Sequence, residues 1–236
     1  MDLTTFMFIA TGVVVGAFVQ GTTGVGFALI VAPLMGLFAP ALLPVCLLVL
    51  MLPLNAYVAW RERAALDHSG ARWVTFGRFL GTFGGLWILA ALPANYLNVL
   101  IGAVTIAAAV TTLVLPSFRA GRQSFMAAGV VTGITETATG IGGPPLALVY
   151  QHSPAAVLRS TIALCFLIGQ LISLAILAIA GRTDAHQFSA ALLLLPALAV
   201  GAVLSRYVHA RVDGRGLRAF VLLFAIASGA VLLVRG

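Results

Sequence analysis

The sequence predicts an all-α protein that crosses a membrane several times, and three observations support this fold class. Of its 236 residues, 61% are hydrophobic and only 8% are charged, whereas soluble domains carry about 25% charged residues. The mean hydropathy is +1.12. Apolar runs follow one another along almost the whole chain, and a membrane-spanning helix needs about 20 such residues. We therefore expect roughly seven to nine crossings or half-crossings and no separate soluble domain.

The charged residues favour a lipid bilayer over nucleic acid as the partner of this chain. The net charge of +7 arises from 13 basic residues, all of them Arg, against six acidic ones. In a soluble protein this excess would suggest nucleic-acid binding, but here the Arg residues lie between apolar runs, as loop charges that orient a membrane protein do. The start of the chain, Met1-Asp2-Leu3, lacks the positive region of a cleaved signal peptide, so we expect the first helix to be retained.

The cysteine and histidine residues do not predict a metal site or a cofactor. Cys46 and Cys165 lie inside apolar runs, with no Cys or His at metal-ligand spacing nearby. We expect both to be buried, unpaired thiols. The four histidines fall in loops or at the ends of helices: His68, His152, His186 and His209.

Two Gly- and Thr-rich segments interrupt the apolar pattern, at residues 20–27 and 136–145. An offset of 116 residues superimposes them, with Thr23, Gly24 and Gly26 on Thr139, Gly140 and Gly142, and with Gln20 on Glu136. Asp67 and Asp184 each begin a short polar loop before a helix rich in small residues. An internal duplication explains these matches best, with residues 1–118 as the first half and 119–236 as the second.

The distribution of Arg residues predicts how the two halves are oriented. Loops 61–72, 116–122 and 205–218 each carry two or more Arg, whereas loop 93–96 has none and loop 181–187 has only Arg182. The first three should be cytoplasmic. This holds only if each Gly-rich segment is the tip of a hairpin that enters the membrane and returns. The fold would then comprise two inverted repeats, each a broken-helix hairpin plus three transmembrane helices, with both termini periplasmic and the protein in the cell inner membrane.

The two hairpin tips are the candidate binding site. Non-helical backbone at membrane depth must be buried in protein or line a wet cavity, and helix N-termini offer N–H groups and partial positive charge to an anion. The candidate substrate-binding residues are Gln20, Gly21, Thr22, Thr23, Gly24, Gly26, Thr137, Thr139, Gly140, Gly142 and Gly143. For Gly77, Gly81, Gly84 and Gly85 we expect helix packing instead.

Glu136 is the one acidic residue clearly inside an apolar region. A carboxyl beside an anion site must be neutral when the anion is bound, so we predict that Glu136 carries a coupling proton. Alternatively, a protonated Glu136 is structural and donates to a backbone carbonyl freed by the break. Asn55, Arg78 and Gln170 are secondary candidates. Arg78 lies five residues after Trp73, and we expect it to extend to the cytoplasmic interface.

The chain resembles a known family through GTTGVGF from Gly21, TGIGGPP from Thr139, and the C-terminal segment from GRTDAHQF through LSRYVHARVDGRGLRAFVLLFAIASGAVLL. These segments, in this order, are similar to the sulfite exporter TauE/SafE family over essentially the whole chain. The resemblance implies an eight-segment bacterial inner-membrane permease that moves sulfite, sulfonates such as sulfoacetate, or related anions in either direction, without a bound cofactor.

The predicted function is therefore a secondary transporter of small sulfur-containing anions, and there are four alternatives to it. One is a purely structural or assembly role, which the sequence leaves open but which gives no reason for the duplicated breaks. A passive anion channel would share the Gly-rich breaks but needs no buried titratable group, so Glu136 favours a carrier. A carrier of small carboxylates would present similar charge to the same donors. An intramembrane enzyme would need a Ser/His pair or two aspartates at depth, and none is evident, so we expect no catalysis. A homo-oligomer is compatible with the sequence, which does not indicate its size.

Overall fold

The computed structural model describes residues 2–93, 96–114, 120–208 and 214–235. These residues form ten α-helices and no strand. The helices are α1 (Leu3–Thr23), α2 (Phe27–Phe38), α3 (Val45–Arg61), α4 (His68–Ala91), α5 (Leu97–Val114), α6 (Arg122–Thr139), α7 (Gly143–Val149), α8 (Ala155–Ile179), α9 (Ala185–Val208) and α10 (Gly214–Arg235).

Five of the described helices are long and apolar enough to cross a membrane: α1, α4, α5, α8 and α9. Three further apolar helices are shorter, at Phe27–Phe38, Val45–Arg61 and Ala219–Val234. Large apolar side chains such as Trp87, Ile179 and Val234 lie on the outer surface, where lipid rather than water would cover them. The chain is thus a multi-pass membrane protein, as its composition predicts.

The helix boundaries repeat along the chain. Each half contains a helix that ends at a glycine, a second helix that begins three residues later, and three further helices. Asp67 accepts hydrogen bonds from the N–H groups of Ser69 and Gly70 at the start of α4, and Asp184 accepts one from His186 at the start of α9. Such caps satisfy the first N–H groups of a helix. The sequence prediction that both aspartates precede a small-residue-rich helix is confirmed.

Each half packs its first helix against the other half. Helix α1 lies against α9, and α4 lies against α6, so the hairpin of one half contacts the fourth helix of its partner half. Helix α3 also packs on its counterpart α8, and α5 on its counterpart α10. The same pattern of neighbours is therefore obtained when the two halves are exchanged, which is the contact pattern of a pseudo-two-fold arrangement.

The counterpart helices α3 and α8 run in opposite directions. Near the start of α3, Val45 and Leu48 cluster with Leu177 at the end of α8. Near the end of α3, Val58 clusters with Ala163 at the start of α8. A two-fold axis that relates two antiparallel helices is perpendicular to the helices. Inverted repeats are related by an axis of this kind, so the geometry supports their prediction.

The helix breaks are shorter than the sequence predicts. Residues 20–23 and 136–139 are the last turns of α1 and α6, and only residues 24–26 and 140–142 are non-helical. The helical hydrogen bonds continue up to the glycines, because the N–H groups of Gly24 and Gly140 donate to the carbonyls of Gln20 and Glu136. The Thr23 and Thr139 hydroxyl groups donate to the carbonyls of Val19 and Thr135, so these polar side chains are satisfied within the helix. Each helix ends one residue later, at a left-handed glycine.

Some predicted loops also differ. Arg72 belongs to α4, which begins at His68, because the Asp67 cap starts the helix before it. Arg215 and Arg218 fall within α10. Arg119 and Arg211 lie outside the described residues.

Candidate functional site

A continuous chain of hydrogen-bonded side chains joins the first hairpin to the second. The Gln20 amide donates to Asn55 Oδ1 at 3.0 Å, Asn55 donates to Gln170 Oε1 at 3.1 Å, and Gln170 donates to Glu136 Oε1 at 2.9 Å. Arg78 Nη2 donates to the other Glu136 oxygen. None of these side chains is more than 2% exposed. We call these five residues the polar chain.

The polar chain contains a fully buried ion pair between Arg78 on α4 and Glu136 on α6. The Arg78 guanidinium lies over the Phe166 ring, 5.2 Å from its centroid, and Gly169 leaves room for it, since a Cβ there would collide with the guanidinium. The expectation that Arg78 reaches the cytoplasmic interface is wrong. Helix α4 presents its glycine face to α6, and Arg78 shares that face.

The close packing of α4 on α6 brings the two charges together. A Cβ at Gly77 would meet Met126 of α6, and one at Gly85 would meet the carbonyl of Ile134 at 2.5 Å. Gly129 and Gly133 of α6 in turn face the backbone of α4. Such close backbone approach requires small residues, so the packing role predicted for the α4 glycines is confirmed.

Glu136 has side-chain partners and not a backbone one. Its oxygens accept from Arg78 and Gln170, so the alternative of a carboxyl bonded to a freed backbone carbonyl is wrong. The carbonyl freed by the second break, that of Gly142, accepts instead from the Thr132 hydroxyl at 3.1 Å. Two unpaired donors remain beside Glu136, because Arg78 Nε and Nη1 are buried without a hydrogen-bond partner.

The first break is built around Gln20. The Gln20 backbone carbonyl accepts the N–H of Gly24, which has φ 87°, and its side-chain oxygen accepts the N–H of Phe27 at 3.1 Å. The same residue thus closes α1, caps α2 and begins the polar chain. Thr22 and Thr23 donate to carbonyls of α1, and Gly21 packs against Ser205 of α9.

The second break repeats this geometry. The Glu136 backbone carbonyl accepts the N–H of Gly140, which has φ 82°. The Ile141 N–H donates to Thr139 Oγ1 at 3.3 Å, as the Val25 N–H does to Thr23 Oγ1. The Thr137 and Ser173 hydroxyls lie 2.8 Å apart. The two breaks meet where Val25 lies against Gly143, since a Cβ on that glycine would be 3.6 Å from the Val25 Cβ.

A cavity of about 360 Å³ lies between the first break and α7. Of the predicted site residues, only Thr22, Thr23 and Gly26 line it; the other lining residues are Val19, Val25, Leu29, Thr111, Thr112, Pro144, Ala147, Leu148, Gln151, Ala155, Leu158, Arg159, Val221 and Leu222. The remaining candidates, including Thr137, Thr139, Gly140, Gly142 and Gly143, lie elsewhere. They belong to the helix ends and the packing around the polar chain.

Sequence reasoning missed four polar residues of this cavity, Thr111, Thr112, Gln151 and Arg159. Arg159 Nε forms an ion pair with Glu62, at 3.0 and 3.1 Å from its two oxygens. The Gln151 amide nitrogen is buried with no hydrogen-bond partner. A signal was present in the sequence, because Arg159 is isolated at the start of a long apolar run.

Cys46 and Cys165 are buried and unpaired, as predicted. Within the described parts of the chain, no group of three or more His, Cys, Asp and Glu residues comes together.

Broken helices in paired halves, buried polar side chains at the breaks and an apolar outer surface define a membrane transport protein. The family model described as sulfite exporter TauE/SafE matches residues 8–232, and the chain belongs to that family of membrane transporters. No curated protein and no solved structure gives a significant match.

Proposed function

We propose that this chain is a proton-coupled carrier of small sulfur-containing oxyanions, such as sulfite or an organosulfonate like sulfoacetate, in the bacterial inner membrane. The observation that carries the proposal is the buried Arg78–Glu136 ion pair, which forms one end of the polar chain. The pair is electrically neutral as a unit. A charge left buried without its partner costs several kcal/mol. Any event that neutralises Glu136 therefore makes the binding of a new anion near Arg78 more favourable.

Protonation of Glu136 supplies that event. The neutral carboxyl would no longer compensate the Arg78 cation, and the unpaired Nε and Nη1 donors could then serve an oxyanion of the substrate. Binding of one proton would favour binding of one anion, and by linkage the anion would favour the proton. The pair would thus couple binding of the proton to binding of the anion, whereas a passive channel needs no buried titratable group.

The contacts between the halves support a mechanism of alternating access. The Gln20 end of the polar chain belongs to the first hairpin and the Glu136 end to the second, and Asn55 and Gln170 lie on the antiparallel helices α3 and α8. A rearrangement of one half against the other would break and remake these hydrogen bonds. Inverted repeats commonly move in this way around a central site.

The Arg-rich end of the molecule supports the proposed orientation. The end of α3 and the starts of α4, α6 and α8 lie together there: Arg159 pairs with Glu62, and Arg122 lies 3.7 Å from the centroid of the Trp73 ring. By the positive-inside rule this end would be cytoplasmic. Both termini would then be periplasmic.

The test is substrate flux in proteoliposomes with and without a pH gradient. Glu136→Gln mimics the protonated carboxyl, so anion binding should survive while accumulation driven by the gradient is lost. Asp184→Asn is the matched control, because asparagine preserves the α9 cap and lies away from the pair; it should couple as wild type does. If Glu136→Gln also accumulates substrate like wild type, Glu136 is not the coupling group. Wild-type flux that never exceeds equilibration would indicate a channel.

A further inference from the structure

We propose that the cavity between the first break and α7 is an anion-binding site near the Arg-rich end, with Arg159 as its cationic anchor. This inference rests on the proposed transport function, and it assigns the place where the substrate first binds. The site is separate from the Arg78–Glu136 pair, since no residue of that pair lines the cavity.

The charge of the cavity favours an anion. Among the described lining residues, Arg159 is the only one with a formal charge. Its ion pair with Glu62 uses Nε alone, so both Nη groups lack a hydrogen bond to the described residues. An oxyanion matches the fork of guanidinium donors in shape and charge.

Gln151 supplies a second donor to the same cavity. Its amide nitrogen is buried without a partner, and a buried unsatisfied donor costs about 1–3 kcal/mol. A bound oxyanion would satisfy it. Thr22 and Thr23 contribute hydroxyl oxygens, but each already donates its proton to a carbonyl of α1. Thr111 and Thr112 likewise donate to carbonyls of their own helix, α5. The side-chain donors left for the anion are therefore Arg159 and Gln151.

The remaining wall favours an anion with an apolar substituent. Leu29, Ala147, Leu148, Leu158, Val221 and Leu222 line most of it. A cavity of about 360 Å³ falls within the range of small-molecule sites, about 300–1,000 Å³. Inorganic sulfite has one sulfur and three oxygen atoms and would leave most of this volume unfilled. A short alkanesulfonate would direct its sulfonate to Arg159 and its carbon chain to the apolar wall.

Glu62 competes with the anion for the Arg159 guanidinium. It occupies Arg159 Nε through both of its oxygens and lies at the end of α3. Removing the negative charge of Glu62 should weaken its hold on Arg159 Nε. It should also remove the electrostatic repulsion between Glu62 and the anion. Gly24 lies close behind Arg159, since a Cβ there would be 2.7 Å from the Arg159 Cγ. Arg159, which belongs to the second half, thus packs against Gly24 in the helix break of the first half.

The experiment is isothermal titration of the purified full chain with sulfite, ethanesulfonate and butanesulfonate. Affinity in wild type should rise about three- to four-fold for each methylene buried. Arg159→Gln should weaken ethanesulfonate binding at least ten-fold, since a charge-assisted hydrogen bond is lost, and Glu62→Gln should strengthen it. Arg63→Gln, an exposed arginine at the same end, is the control for general charge and should bind like wild type.

A second variant keeps the test valid if Arg159→Gln does not fold. Ala147→Phe fills the apolar wall and should abolish the gain from butanesulfonate while sparing sulfite. If wild type binds these anions and neither variant changes binding, the assigned site is wrong while the transport proposal stands. If wild type binds none of these anions, both the assigned site and the proposed substrate class are wrong. The pH dependence of flux in proteoliposomes tests Glu136 separately and does not bear on the Arg159 site.

Discussion

Gln20 and Glu136 occupy matching positions in the two halves, and each accepts through its backbone carbonyl the N–H of the glycine that ends its helix. The side chains at these positions differ in one respect that decides their roles. The Gln20 amide is neutral and caps α2, whereas Glu136 is acidic and pairs with Arg78. The two similar helix breaks therefore carry an ionisable side chain at only one of their two matching positions.

The Arg78–Glu136 pair should behave as a unit in stability measurements. Arg78→Gln and Glu136→Gln each leave one buried charge without its partner, and we expect each to lower the free energy of unfolding by about 3–5 kcal/mol. The double variant leaves no charge and should lose less than the sum of the two. Unfolding of all four proteins in the same detergent measures the coupling. Additive losses would mean that the pair does not form.

Gly81 should tolerate no side chain, because it faces α6 directly. A Cβ there would lie 2.9–3.0 Å from the carbonyl carbon and Cα of Val130, and overpacking of this kind costs about 1–3 kcal/mol. We expect Gly81→Ala to lower the unfolding temperature and to impair transport by separating Arg78 from Glu136. Gly121→Ala is the control, since a Cβ there meets nothing within 4 Å. Equal effects of the two substitutions would exclude packing as the cause.

Backbone strain and packing can be separated at the left-handed glycines. Gly140 has φ 82° and packs against Leu47, whereas Gly181 has φ 67° and faces open space. Alanine at either position bears the cost of left-handed backbone, about 1–2 kcal/mol, but only Gly140→Ala also collides with a side chain. Gly140→Ala should therefore destabilise more than Gly181→Ala. A comparison of their thermal unfolding temperatures tests this order, and the reverse order would contradict it.

The orientation of the chain can be tested by cysteine accessibility. Cys46 and Cys165 are buried, so added cysteines should dominate labelling by a membrane-impermeant maleimide. Cysteines placed after Met1, at Arg182 and before Gly236 should react from the periplasmic side, and one at Arg63 should react only after the membrane is opened. A C-terminal cysteine that is protected in intact cells would overturn the proposed hairpin topology.

The elements most predictable from sequence are those fixed by local chemistry. Apolar length predicts the spans, Gly24 and Gly140 predict the breaks, and their offset predicts the repeated order of helices. The error at Arg78 arose because distance from a loop says nothing about which face of a helix is buried. Arg78 shares a helix face with Gly81 and Gly85, which follow it by three and seven residues, and a face rich in glycine indicates burial against a neighbouring helix.

The cavity could not be predicted in the same way. Gln151 and Arg159 belong to the second half, whereas Thr22 and Gly26 belong to the first, and no local pattern links them. Their meeting depends on how the hairpins pack. The polar chain was likewise predictable as a set of candidates but not as a connected network, because Asn55 and Gln170 meet only through the antiparallel contact of α3 with α8.

The pairing of α1 with α9 also sets a condition on biosynthesis. About 160 residues separate the end of α1 from the start of α9, and at about 5–20 residues per second a ribosome needs roughly 8–30 s to make them. During that time Gly21 lacks its Ser205 neighbour, and Gln20 gains Asn55 long before Gln170 exists. We therefore expect the insertion machinery or lipid to cover the α9-facing side of α1 until the second half of the chain has been made.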